Sequence, residues 1–204
     1  MSTKLSIVGA GGHCKVVIDA LLQSGECFEL SVYDSDLKKA GTSVLGVVVE
    51  ELQDLSLLDA DVFVAIGNNS FREEIICSLQ ECGKNLATII HKDAVVAQSA
   101  TIGAGSFVAA LAVISASANL GIGVIVNHRA IVDHDCRVGN YSHIAPQVTL
   151  GGAVQIGDRV LVGASATVLP SKQIESDSIV GAGSVVTSNV TVGTTVVGNP
   201  AKVM

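Results

Sequence analysis

The sequence predicts a mixed fold: a small N-terminal α/β domain, β-α-β-α-β in order, followed by a parallel β-helix. Three observations carry that prediction. Stepping by six from Val96 to Val192, all seventeen positions are Val, Ile or Leu. Near the start, an apolar run breaks into Gly9-Ala10-Gly11-Gly12-His13 and then into a helical pattern. Hydrophobic residues make up 49% of the chain but aromatics only 3%, with no Trp, and this small, β-branched content suits short stacked strands.

Taken in order, residues 5–8 read as a buried strand feeding the glycine loop. Residues 14–23 place Val17, Ile18, Leu21 and Leu22 at helical spacing, and Gly25 supplies a C-terminal stop. A second strand, residues 30–33, ends in Asp34-Ser35-Asp36. A third, residues 62–66, ends in Gly67-Asn68-Asn69, and residues 71–82 form a second helix closed by Gly83. Such a unit turns backbone amides at a helix N-terminus toward a phosphate. Cys14 stands where the last glycine of a dinucleotide fingerprint belongs, and no second mononucleotide half fits before residue 94. The half-Rossmann unit therefore points to a single nucleotide, such as a nucleotide-sugar, with Asp34 offering a carboxylate to a ribose. A docking domain with a vestigial glycine loop is the competing reading.

A six-residue period fits neither a helix nor a heptad, and a valine-rich sandwich would alternate every second residue. It fits a β-helix whose short strands turn a corner at each repeat and stack aliphatics inside a prism. Glycine often follows the aliphatic, as at Gly103, Gly121, Gly139 and Gly157, and a small residue often sits four places after it, as at Ala100, Ser106 and Ala112. The expected boundaries are 1–88 for the nucleotide-binding domain and 89–204 for the β-helix with its C-terminal cap.

Composition excludes several classes. A net charge of −7 argues against nucleic acid. No run of about 18 apolar residues offers a membrane span. Residues 1–8 are too short and polar for a signal peptide, and the five cysteines are odd in number and lack metal-like pairing. Reduced thiols in a cytoplasmic protein are the expectation.

Acyl transfer from a thioester needs a base for the nucleophile's proton and donors for an oxyanion. The repeat region holds three histidines, His128, His134 and His143. His134 lies two places after an inward aliphatic, so it faces outward, between Asp133 and Asp135. Without family information, an exposed histidine on a repeat surface is more often incidental than functional.

The repeat resembles the hexapeptide-repeat family, whose coils are triangular, left-handed and about 18 residues round. The handedness comes from that resemblance alone, since parallel crossovers usually take the opposite hand. On such a coil Gly152 stacks beside His134 at about one strand spacing, roughly 4.8 Å. His143 falls half a coil away on another side, so a site using both would join neighbouring subunits.

Along essentially its whole length the chain also resembles the NeuD/PglD-type sugar acetyltransferases. The matching stretches are Gly9-Ala10-Gly11-Gly12-His13, Ala65-Ile66-Gly67-Asn68-Asn69, Ile90-His91-Lys92, residues 127–136, Tyr141-Ser142-His143 and Val197-Gly198-Asn199-Pro200-Ala201-Lys202. The resemblance implies His134 as general base, supported by Asp135. It implies His143, Gly152, Gly163, Ala164, Pro200 and Lys202 at acetyl-CoA, with the Gly152 amide at the thioester and Lys202 toward a CoA phosphate. It implies Gly11, Gly12, His13, Asp34 and Asn68 at the nucleotide-sugar. Two positions depart from the family member compared: Asp135 replaces a Glu, and Ser35 replaces a second acid. The expected protein is a homotrimer with active sites between subunits, needing no metal, that N-acetylates a nucleotide-linked amino sugar for bacterial glycan or surface-polysaccharide assembly. O-acetylation of sialic acid or another sugar is the nearest alternative. A zinc site from His128, His134 and His143, or a non-catalytic nucleotide sensor, stands further off.

Overall fold

The structure is a computed structural model and describes residues 2–204. Its first part is a six-stranded sheet built around β1 (Thr3–Val8), which pairs in parallel with β2 (Phe28–Asp34) and β5 (Asp61–Val64). Outward from β2 lie β4 (Val47–Glu51) and β3 (Ser43–Val44), and outward from β5 lies β6 (Asn85–Leu86). Helix α1 (Gly12–Gln23) buries Cys14, Val17, Ile18, Ala20 and Leu21, and α2 (Asn69–Glu81) buries Arg72, Ile76 and Leu79. The hairpin β3–β4 was not legible in the sequence. Leu45 and Gly46 form its two-residue turn with φ of 47° and 86°, a primed-turn geometry without the usual Asn-Gly signal.

The glycine loop follows from close packing. Gly9 has φ of +101°, and a Cβ there would lie 2.9 Å from the Ile66 side chain and 3.1 Å from the Ala65 carbonyl. Only glycine lets the β1 and β5 ends approach this closely and leave a crevice at the carboxyl edge of the sheet.

The remainder is a left-handed parallel β-helix of two-residue strands. Its first face stacks Phe107–Val108, Ile125–Val126, His143–Ile144, Leu161–Val162 and Ile179–Val180 in register. The second stacks Val95–Val96, Val113–Ile114, Ile131–Val132, Thr149–Leu150, Thr167–Val168 and Val185–Val186. The third stacks Thr101–Ile102, Asn119–Leu120, Arg137–Val138, Gln155–Ile156 and Gln173–Ile174. In each pair the second residue points into the prism, which is why the six-step aliphatics form one continuous core.

The corners demand a left-handed residue per turn. Leu111, Arg129, Gln147 and Ser165 hold φ of 54–62° along one edge together with Ser117, Asp135, Ala153 and Ser171 along the next and Tyr141, Arg159 and Asp177 along the third. Each such non-glycine residue costs on the order of 1 kcal/mol. Bonds one coil apart offset that cost: the Gln147 amide donates to the His128 carbonyl at 2.9 Å and the Ala153 amide to the His134 carbonyl at 2.8 Å.

One sequence expectation is corrected at the C-terminal end. The six-residue frame does slip: Val192 is 62% exposed, while Val190 and Val196 take the inward places. Ile174 bridges Val190 and Val180 pairs with Val196, so the last turn is two residues short of the 18-residue coil beneath it. A short antiparallel strand, Lys202–Val203, then covers the open edge.

Candidate active site

His134 sits at the corner between the second and third faces, its side chain 59% exposed. Two local bonds fix it. The Asp133 carboxylate accepts the His134 backbone N–H at 2.7 Å, and the Asp135 carboxylate meets ring Nδ1 at 2.8 Å. A carboxylate only accepts, so Nδ1 carries the proton and Nε2 is the bare nitrogen of the neutral ring. The left-handed φ of 59° at Asp135 is one that aspartate tolerates better than most residues, and here it accompanies the carboxylate's bond back to the preceding ring. The hydrogen bond that Nδ1 donates to Asp135, then the charge of Asp133, holds the imidazole pKa above its ordinary 6.5.

Gly152 lies one coil above. A Cβ built there would stand 2.5 Å from His134 Nε2 and 2.6 Å from Cε1, so the absence of a side chain is what leaves the bare nitrogen accessible. Its amide is also available. At the neighbouring corner the equivalent amides are capped by side chains one coil on, Ile122 by Asn140 and Asn140 by Asp158. One coil beyond Gly152 stands Pro170, and among the described residues no acceptor meets the Gly152 N–H. The Ala164 N–H is likewise unmatched.

A separate cavity of about 590 Å³ opens at the carboxyl edge of the α/β sheet, lined among others by Gly9, Gly11, Gly12, His13, Asp34, Lys39 and Gly67. Asp34 Oδ2 accepts from the Ala10 amide at 2.7 Å and from Lys39 Nζ at 2.8 Å, and Oδ1 accepts from the Asp36 amide at 2.9 Å. Burial pushes the Asp34 pKa up, but bonds from Lys39, Ala10 and Asp36 outweigh it and the net shift is downward. At the other end of the cavity His13 stacks edge-on to Phe107 at 5.2 Å, and its Nε2 is buried without a partner. Burial, then the nearby His143, Arg72 and His128, push the His13 pKa down to about 3.

The expected site residues thus fall into groups. His134, Asp135 and Gly152 come together at one corner; Gly11, Gly12, His13 and Asp34 come together around the cavity. Asn68 is not on that cavity's wall: its side chain caps α2, accepting the Phe71 amide at 2.9 Å. His143 is on the first face, 3.2 Å from Asn127 Nδ2, with its pKa pushed down to about 4 by burial first and by the charge of Arg72 second. Gly163 and Ala164 occupy the corner between the first and second faces, and Pro200 and Lys202 the terminal turn, where the Ala201 amide donates to Val185 at 2.8 Å. Lys39, Arg72 and Asn127 had no separate signal in the sequence, because charged and polar residues on solvated loops and helices are common. Among the described residues no three His, Cys, Asp or Glu side chains are grouped to hold a metal ion, and no helix is long and apolar enough to cross a membrane.

Residues 4–79 match the PglD N-terminal domain family. The structure superposes on the acetyltransferase domain of PglB from Neisseria gonorrhoeae FA1090 with a TM-score of 0.94 and 38% identity over 100% of both chains. That domain has also been determined in complex with acetyl coenzyme A. It superposes on PerB from Caulobacter crescentus, in complex with CoA and GDP-perosamine, with a TM-score of 0.92 and 37% identity over 98% of this chain and 97% of that one. A UDP-N-acetylbacillosamine N-acetyltransferase from Bacillus subtilis (strain 168) is 34% identical over 110 residues, and the match spans 52% of this chain and 51% of that relative.

Proposed function

The chain belongs to the NeuD/PglD-type family of sugar acetyltransferases, and from that premise we propose that it moves the acetyl group of acetyl-CoA onto the amine of a nucleotide-linked amino sugar. The observation that carries the reading is the His134 corner: a tautomer locked by Asp135, with bare Nε2 over a side-chain-free Gly152 whose amide is unpaired. Acetyl-CoA supplies a thioester carbonyl already activated toward an amine. His134 Nε2 takes the proton of the attacking amine as the C–N bond forms, and the Gly152 amide donates to the oxygen on which charge builds. The C–S bond then breaks so that CoA leaves as the thiol, its sulfur taking the proton back from His134. No protein nucleophile is needed. Cys136 is buried and its thiol pKa is raised, above all by burial.

The division of labour follows the two groups of residues. Residues 1–88 hold the nucleotide, with the glycine loop and His13 at the diphosphate and Asp34 toward the ribose. Residues 89–204 hold acetyl-CoA, with Gly163, Ala164, Pro200 and Lys202 along its path. A 4-amino-4,6-dideoxy sugar on UDP, GDP or dTDP is the substrate class, made in the cytoplasm for bacterial glycan or surface-polysaccharide assembly. The test is CoA release with a panel of such sugars and free sialic acid. Turnover of an amino sugar is the expected result; turnover of sialic acid alone would replace N-acetylation by O-acetylation.

The same reading includes a homotrimer. The outward row of the second face is Val95, Val113, Ile131, Thr149, Thr167 and Val185, with no charge in it, whereas the third face shows Thr101, Asn119, Arg137, Gln155 and Gln173. The first face is covered near its start by the α/β part, burying Ile89, Phe107 and Ile125. An uncharged, β-branched face between a covered one and a polar one suits burial against another copy. Packing of this kind brings the His134 corner of one chain to the His143 side of its neighbour. Val113→Glu is therefore expected to yield folded monomers by light scattering, with CoA release lost in parallel. Activity retained in a monomer would remove the shared site.

A further inference from the structure

Arg72 is 1% exposed, yet among the described residues no carboxylate meets it. Its guanidinium instead spends every donor on neutral acceptors across the junction of the two parts. Nε donates to the Gly123 carbonyl at 2.8 Å, Nη1 to Ile66 and Gly67 at 2.9 and 3.2 Å, and Nη2 to Asn69 Oδ1 at 2.9 Å and the Tyr141 carbonyl at 2.5 Å. Ile66 and Gly67 line the nucleotide cavity; Gly123 and Tyr141 belong to the β-helix. A cation buried this way is held by geometry, and five fixed bonds in a planar fork are something only arginine supplies.

The network continues to His143. Asn127 Oδ1 accepts the His128 backbone N–H at 2.9 Å and meets His128 Nδ1 at 2.8 Å, which settles which end of that amide is oxygen. Asn127 Nδ2 therefore donates to His143 Nε2, 3.2 Å away. With Nε2 accepting, the proton of neutral His143 is on Nδ1. Arg72 reaches this ring through the backbone: the Tyr141 carbonyl that it holds lies two residues before His143.

We propose that Arg72 is a positioning residue for acetyl transfer: its fork ties the 66–67 carbonyls to those of Gly123 and Tyr141, which holds the backbone leading into His143 so that Nε2 stays on the Asn127 amide and the ring stays Nδ1-protonated, joining the wall of the nucleotide cavity to the β-helix side of the site. This rests on the function proposed above only for its consequence, since the tautomer exists in the free protein. The charge of Arg72 also disfavours a second proton on His143 and on His13, in each case after burial. Movement of the 66–67 loop when the cavity fills then reaches His143 through Arg72 and the Tyr141 carbonyl.

Nitrogen-15 spectra of histidine-labelled full-length protein at pH 7 read the tautomer without any substrate. Wild type is expected to show His143, assigned by loss of its signals in His143→Gln, with a protonated Nδ1 and a bare Nε2. A wild-type His143 with the proton on Nε2, or carrying two protons, would overturn the proposal whether or not any variant folds. Arg72→Lys keeps the charge but loses the fork, and is expected to give mixed His143 tautomers and to lower kcat by about tenfold or more with smaller changes in KM. An unchanged His143 pattern in folded Arg72→Lys would equally sink it. Failure of the acetyl-transfer reading would show separately, as silence in the CoA-release panel with the tautomer as expected.

Discussion

His134→Ala is expected to reduce kcat by about 10²- to 10⁴-fold, the usual worth of a positioned general base, with little change in KM or thermal stability. The side chain is 59% exposed, and among the described residues its ring bonds only to Asp135, so removing it leaves no buried group unpaired. The pH profile carries the same information. Catalysis needs the neutral ring, and the Asp135 bond and Asp133 charge hold its pKa above 6.5. The acid limb of kcat/KM should therefore lie above 6.5, with activity rising as pH climbs through it. Asp135→Asn removes the leading cause, so the limb should move to lower pH while the rate at the plateau falls, because the tautomer is no longer enforced. Undiminished turnover in His134→Ala, measured by CoA release, would assign the proton to another group.

The β-helix was legible because its constraint is repeated. Each inward position stacks on its equivalents one coil away, so Val108, Val126, Ile144, Val162 and Val180 had to share size and polarity. The frame failed at Val192 because the last turn has no coil above it, and a shortened turn closed by Lys202–Val203 satisfies the edge instead. In the α/β part, the strands and helices that cross the core were legible from apolar runs and helical spacing. The β3–β4 hairpin was not, since Leu45 occupies a left-handed turn position that a sequence reader assigns to glycine or asparagine.

The candidate site was legible in the same uneven way. His134 and Gly152 emerge from coil counting, because one coil fixes which residues are neighbours. Asn68 was expected at the nucleotide, yet an asparagine before a helix serves equally as its N-cap, and that is where the structure places it. Arg72 was invisible. Its five acceptors are four backbone carbonyls and one asparagine, drawn from residues 66–69, 123 and 141, and only the folded junction brings them together.

Gly152→Ala is expected to lose activity on the scale of removing the imidazole itself, although it only adds a methyl group. The φ of Gly152 lies outside the left-handed range, so alanine is conformationally allowed, and replacing glycine trims the entropy of the unfolded chain by about 0.4–1 kcal/mol. The added Cβ meets nothing nearer than His134, at 2.5 Å from Nε2 and 2.6 Å from Cε1. The exposed ring has room to yield while the coil has none, so the ring swings out and its Nε2 leaves the amide it faces. A displacement of about 1 Å is enough to cost on the order of 10²-fold. Thermal melting should be unchanged or slightly raised while kcat collapses. Gly151→Ala separates this from a packing effect: its Cβ would meet the Pro170 ring at 2.9 Å, not His134, so it should lower stability first. The double mutant decides the mechanism. If Gly152→Ala acts by displacing His134, it should cost no more than about twofold in a His134→Ala background, a coupling that two independent lesions would not show.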